Sequence, residues 1–215
     1  MNKKITRTLV AAMAVVGLGA AAPSYAQWYI GASIGKSDIK FNNAAQSDQF
    51  LDLGFTNATT VSDTKDTGYR AFGGYQIHPY VAIEAAYVDL GRFGFRTDVS
   101  PAGSLSGSTR IDGFDVSALG TVPLGERFGL FGRVGVYAAQ TRTSYTGGGS
   151  IETLIGGETQ KKRGTKLVYG AGATFNINKN LALRGEWSRY EKLGDVFTGG
   201  RTDANLYSLG VVYRF

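Results

Sequence analysis

The sequence predicts an all-β fold: an eight-stranded antiparallel up-and-down transmembrane β-barrel behind a cleaved N-terminal signal peptide. Three observations predict it. Apolar and small or polar residues alternate with a period of two in eight segments. The connections between those segments are alternately long and short. Bulky side chains gather on one face of each segment, while glycine, alanine and a few charges gather on the other. A barrel that turns its bulky face to lipid and its small face to a narrow lumen satisfies all three.

The N-terminus comes first. Lys3, Lys4 and Arg7 precede an apolar run over residues 9–22, which is short for a membrane-spanning helix. Ser24 and Ala26 supply small residues at a cleavage site. Residues 1–26 therefore read as a signal peptide and residues 27–215 as the barrel. Loss of Lys3, Lys4 and Arg7 lowers the formal charge from +6 to +3. The basic balance thus carries little weight for nucleic-acid binding, and no basic stripe with interleaved aromatics is present. Cysteine is absent from all 215 residues, which excludes disulfides and thiolate metal sites.

The first strand spans residues 28–35, with Trp28, Ile30, Ala32 and Ile34 on one face. A long polar connection over residues 37–65 follows. Residues 66–91 form a hairpin around Pro79, which cannot sit inside a ladder. Tyr69, Ala71, Tyr75 and Ile77 share one face before the turn, and Arg70, Phe72, Gly74 and Gln76 the other. After it, Val81, Ile83, Ala85 and Tyr87 alternate with Ala82, Glu84, Ala86 and Val88. Residues 92–109, rich in Gly and Ser, read as a second long loop.

Residues 110–122 alternate again, then a short turn leads to residues 128–141. That strand is blurred, because Phe131 and Tyr137 share the parity of Arg133. A third long loop covers residues 142–164 and ends in Lys161, Lys162 and Arg163. Residues 166–176 and 181–190 are the sixth and seventh strands around a short turn. Residues 191–203 make the last long loop, and residues 206–215 close the barrel. An even strand count leaves both termini on the short-turn, periplasmic side, and closure leaves no backbone unpaired in lipid. A soluble lipocalin-like barrel is the rival. Aromatics near strand ends (Trp28, Tyr69, Tyr87, Trp187, Phe215) and the export signal favour the membrane.

GGYQIHPYVAIEAAYVDLG, residues 73–91, combines a glycine pair, a proline turn and an inward glutamate. It resembles the second and third strands of the OmpA-type eight-stranded outer-membrane barrel family. WYIGASIG at the start and LYSLGVVYRF at the end are similar to the corresponding family strands. The resemblance implies a porin-family surface protein of a Gram-negative outer membrane. It also implies that Tyr213 and Phe215 serve as the signal read by the barrel assembly machinery; a lipid-facing strand end explains them equally. Larger relatives add a periplasmic peptidoglycan-binding domain, whereas residues 27–215 read as the barrel alone.

Glu84 lies five residues beyond Pro79 and Arg184 five beyond Lys179, so both fall near mid-membrane on strands that face each other across the lumen. A buried Glu84–Arg184 pair is expected, with Arg133, Asp115 and Glu186 nearby. Two readings stay open: a gate in a narrow pore, or a packing network filling a barrel too small to conduct. Leu119 and Thr174 stand where some relatives carry a second lumen pair.

Little else suggests chemistry. His78 sits in the proline turn, and Asp48, Asp52, Asp63 and Asp66 match no calcium-loop spacing. No GxSxG, P-loop or HExxH motif occurs. An enzyme is not expected, nor a cofactor or a metal. Lys161, Lys162 and Arg163 either contact lipopolysaccharide phosphates or are simply solvated. The expected partners are outer-membrane lipid, lipopolysaccharide and the assembly machinery, with the barrel as a monomer. Three functions remain: a mainly structural barrel with a polar closed lumen, a narrow ion or solute channel, and an adhesin acting through its loops.

Overall fold

The computed structural model describes residues 27–39, 57–100, 103–149, 159–193 and 202–215. The expected signal peptide lies outside these residues. Nine antiparallel strands are present among them: β1 (Gln27–Ile39), β2 (Asn57–Asp63), β3 (Lys65–His78), β4 (Val81–Ser100), β5 (Gly103–Leu124), β6 (Phe128–Gly149), β7 (Thr159–Asn176), β8 (Leu181–Leu193) and β9 (Thr202–Arg214). Eight of them close a barrel in the order β1-β3-β4-β5-β6-β7-β8-β9, with β9 returning to β1. The ninth, β2, pairs only with the outer part of β4, Gly94–Ser100. Only Thr64 separates it from β3, so the two act as one long interrupted strand.

Closure follows from alternation. Outward residues include Trp28, Ile34, Tyr69, Val116, Leu209 and Phe215, large apolar groups that remain exposed. Inward residues are small, charged, aromatic or aliphatic. Following the pairing around the ring from Ala82 passes Leu119, Arg133, Gly170, Ser188, Leu206, Ser37 and Asp66. It returns beside Arg92, whose N–H donates to the Asp66 carboxylate. The return point is roughly ten residues up the same strand, a stagger that tilts eight strands by about 40°.

The short turns are built by local chemistry. Pro79 interrupts the ladder between β3 and β4, and the Tyr80 N–H donates to His78 Nδ1 at 3.4 Å. The turn between β7 and β8 is held by Asn178, whose side-chain oxygen accepts from the N–H groups of Asn180 and Leu181 at 2.9 and 2.7 Å.

Three of the long connections are shorter than the sequence predicts. β4 runs on to Ser100 and β5 begins at Gly103, so most of residues 92–109 is ladder. β6 continues to Gly149 and β7 starts at Thr159, which absorbs much of residues 142–164. β2 occupies part of residues 37–65. On β4 the alternation is interrupted by a bulge. Asp89 pairs with Asp112, but the next pair is Gly91 with Ile111, leaving Leu90 extra. Gly91 sits at φ +93, a conformation that suits glycine. Inward residues are even-numbered up to Leu90 and odd from Phe93, so the alternation breaks there. Beyond it Phe93, Phe95 and Leu105 are buried. Ladder hydrogen bonds come from backbone, so Gly and Ser do not prevent the strands from continuing.

Candidate functional site: the charged layer of the lumen

Six ionisable side chains from five strands converge inside the barrel. Arg70 comes from β3, Glu84 from β4, Asp115 from β5, Arg133 from β6, and Arg184 and Glu186 from β8. All six are buried, Glu84 completely. Three carboxylates face three guanidiniums, so the layer is formally neutral.

The geometry is a ring of shared pairs. Arg184 Nη1 lies 2.7 Å from Glu84 Oε2, and Arg184 Nη2 lies 2.9 Å from Glu186 Oε2. Arg133 bridges Asp115 and Glu186, with both contacts at 2.8 Å. Arg70 hydrogen-bonds Glu84 and also lies 3.6 Å from Asp115 and from Glu186. It therefore touches every carboxylate of the layer. Hydroxyls complete the set. Tyr29 donates to Glu84 at 3.1 Å, Ser188 donates to Glu186 at 2.5 Å, and Ser117 accepts from Arg133 at 2.8 Å. These pairs and hydrogen bonds offset the cost of burying charge, while Arg70 Nε and Nη1, Asp115 Oδ2, Arg133 Nε and Arg184 Nε and Nη2 make no hydrogen bond among the described residues.

The guanidiniums also rest on rings. Arg70 stands 4.6 Å from the centre of Phe72, and Arg184 stands 4.9 Å from Phe72 and 4.1 Å from Phe131. Glycine seats those rings. A Cβ on Gly31 would lie 2.4 Å from Phe72, and one on Gly172 would lie 2.4 Å from Phe131. The inward glycines visible in the sequence are the space into which these aromatics fold.

The structure brings together all five expected lumen residues, Glu84, Arg184, Arg133, Asp115 and Glu186. It adds Arg70, which sequence reasoning placed on the inward face of β3 but did not join to the cluster. The signal was there: Arg70 shares parity with Gly74, the register partner of Glu84, and an arginine side chain spans the offset. Leu119 is inward and buried, and Thr174 donates to the Gly129 carbonyl at 3.4 Å.

The lumen is not polar throughout, contrary to the expected polar closed interior. On the extracellular side of the charged layer lies an apolar one: Val88, Leu90, Ile111, Tyr137, Tyr190 and Leu206 are at most 2% exposed. Tyr137 and Tyr190 meet edge to face, 4.8 Å between ring centres. Tyr137 and Phe131 blur the alternation of β6 because they fill the interior from the inward face.

The remaining predicted residues lie apart. Tyr213 and Phe215 are outward, their rings 5.2 Å apart, and the Phe215 N–H donates to the Trp28 carbonyl. Lys161, Lys162 and Arg163 belong to strand β7 rather than a loop, and register sets them opposite Arg142, Thr141 and Gln140. Alternation splits them, placing Lys162 on the other face from Lys161 and Arg163. His78 is exposed and ends β3 beside the turn. Among the described residues no group of His, Cys, Asp or Glu is arranged to hold a metal ion. Near the extracellular rim, Arg110 and Arg189 have pKa values raised above that of ordinary arginine by hydrogen bonds to Asp89 and Asp203.

The family model for the OmpA-like transmembrane domain matches residues 23–215. The chain belongs to that family. Relatives include Outer membrane protein A of Shigella flexneri and of Salmonella typhi, each 30% identical over 218 residues and 100% of this chain. The match covers 56% of each relative, so this OmpA-like chain spans about half their length. Among solved structures, Ail of Yersinia pestis superposes with a TM-score of 0.52 at 16% identity, covering 89% of this chain and 99% of that one. Neisserial surface protein A gives 0.52 at 14% identity, with 87% and 97% covered. These two share the fold of the OmpA-like barrel, an all-β outer-membrane barrel.

Proposed function

We propose that this chain is a mainly structural barrel of a Gram-negative outer membrane, with a lumen closed to solutes. The observation that carries the reading is the stack of two layers inside it. The charged layer is neutral and internally paired, and the apolar layer above it is buried. An ion crossing would have to break several buried pairs and then enter a mainly apolar region whose polar groups are the hydroxyls of Ser37, Tyr137 and Tyr190, both costly. Export through the cleaved signal and recognition of Tyr213 and Phe215 by the assembly machinery belong to the same reading. The outward placement of both rings supports it. The barrel acts as a monomer, and its contribution is to membrane integrity and to contacts made outside the cell.

One observation favours a second reading, a gated narrow channel. Arg70 and Arg184 each contact both Glu84 and Glu186. The cations can thus exchange partners without a change in net charge, as a gate requires.

The test is conductance of the folded protein across a planar bilayer, with folding checked by heat-shifted mobility on a gel. Silence from folded protein is expected. Discrete openings whose size changes in Glu84→Ala would replace the structural reading with the channel.

A further inference from the structure

The outer surface of the barrel carries an arrangement that neither the lumen nor the fold requires. Arg92 on β4 pairs with Arg110 on β5. Arg110 pairs with Arg142 on β6, and Arg142 pairs with Lys161 on β7. Four cations thus stand side by side on four adjacent strands, outward-facing. Arg163 lies two residues below Lys161 on the same face, opposite Gln140. Like charges directly opposite one another destabilise a sheet. A row of four in register calls for a bound anion to relieve it.

The row is held from the membrane side. Two register pairs below it, Asp89 pairs with Asp112. Asp89 accepts from Arg110, and Asp112 lies 3.3 Å from Arg142 and accepts from the Tyr87 hydroxyl. Below these come Tyr87 and Phe114, outward aromatics 5.3 Å apart, at the level where an interfacial girdle lies. The two carboxylates fix the middle guanidiniums. Arg92, Lys161 and Arg163 make no ion pair among the described residues. The patch therefore has five cations against Asp89 and Asp112, with the Asp66 carboxylate beside Arg92 on its backbone N–H. Elsewhere on the rim the charges offset one another: Arg189 pairs with Asp203 at 2.5 Å, and Lys36 and Asp38 alternate outward on β1. Among the described residues the excess lies on β4–β7.

Its position selects the occupant. The row begins just above the aromatic girdle, where lipid headgroup phosphates lie. Three interstrand steps make it about 14 Å long. The strand tilt makes it climb on the order of 10 Å from Arg92 to Lys161. Guanidinium groups bind phosphate through paired hydrogen bonds, and a lysine adds a point charge.

We propose that Arg92, Arg110, Arg142, Lys161 and Arg163 form a site for the phosphates of a bisphosphorylated outer-leaflet glycolipid, the lipid A portion of lipopolysaccharide. The site rests on the reading that the barrel sits in an outer membrane with its long connections outside. It corrects the run Lys161–Lys162–Arg163 to a row that excludes Lys162 and draws most of its charge from three other strands.

The experiment uses the full chain purified from membranes into phosphatidylcholine nanodiscs. Native mass spectrometry then follows the binding of added bisphosphorylated lipid A and of its dephosphorylated form. The expected result is at least tenfold tighter binding of the phosphorylated form. The variant Arg92→Gln/Lys161→Gln/Arg163→Gln, which leaves no carboxylate unpaired, loses that preference. The equal-charge control Lys36→Gln/Lys65→Gln/Lys179→Gln keeps it. Equal binding of the two lipids, a preference that survives in the row variant, or one lost equally in the control each overturns the site. Capture of a heparin oligosaccharide as tight as that of lipid A overturns the lipid assignment in favour of a soluble polyanion. Failure of the chain to enter lipid as a heat-modifiable barrel overturns the membrane reading and the site together. Folding without lipid preference removes the site alone.

Discussion

Two regions of the same lumen are closed by opposite means. The middle layer is filled by three carboxylates and three guanidiniums that share partners. The layer above it is filled by Val88, Leu90, Ile111, Tyr137, Tyr190 and Leu206. Charge closes a lumen through a network in which each member depends on the others, so one deletion strands its neighbours. Apolar packing closes it additively, and one deletion leaves a cavity whose cost depends on local collapse. The first layer is brittle and can rearrange, whereas the second is tolerant and fixed.

The sharpest way to break the comparison is electrical. If the layers close the lumen in series, Glu84→Ala alone stays silent in a planar bilayer, as does Leu90→Ala combined with Tyr137→Ala. All three substitutions together give discrete openings. Conduction by Glu84→Ala alone would show that the apolar layer is not a barrier.

Stability separates the layers next. Arg70→Ala removes the cation that touches Glu84, Asp115 and Glu186. A loss of about 3–5 kcal/mol is expected, read from urea unfolding of the barrel in vesicles. Leu90→Ala in the apolar layer is expected to cost about 2–4 kcal/mol in the same assay. A crossed pair distinguishes them further. Glu84→Gln with Arg184→Gln should deviate from additivity by about 0.5–3 kcal/mol, while Leu90→Ala with Glu84→Gln should add. The smallest effect belongs to the bulge that marks the top of the apolar layer. Gly91→Ala forces a side chain into φ +93 and against Asp66. A cost of about 1–2 kcal/mol is expected.

Sequence reasoning reached the strands that cross the membrane because lipid enforces alternation on both faces. It found Glu84 and Arg184 because a charge at mid-strand has nowhere to go but inward. It left out Arg70 from the network because Arg70 lies four residues above the register partner of Glu84, and reach is not visible in spacing. The apolar upper layer was hidden for a related reason. Tyr137 and Phe131 look lipid-facing by composition, and only the parity of Arg133 argues otherwise. Beyond Leu90 the bulge reverses parity, and the Gly- and Ser-rich composition that suggests a loop is compatible with a ladder.

The long hairpin of β4 and β5 has a consequence for whatever meets this protein from outside the cell. Strands of 20 and 22 residues exceed the membrane span, and the excess is braced by β2 on one side and β6 on the other. Among the described residues, what an antibody or a phage tail would encounter on this hairpin is a stiff paddle of strand. Its epitopes are set by pleat, so residues that stand together come from neighbouring strands and not from consecutive positions. Sera raised against the folded protein should lose recognition on boiling, and short linear peptides of the same region should fail to compete.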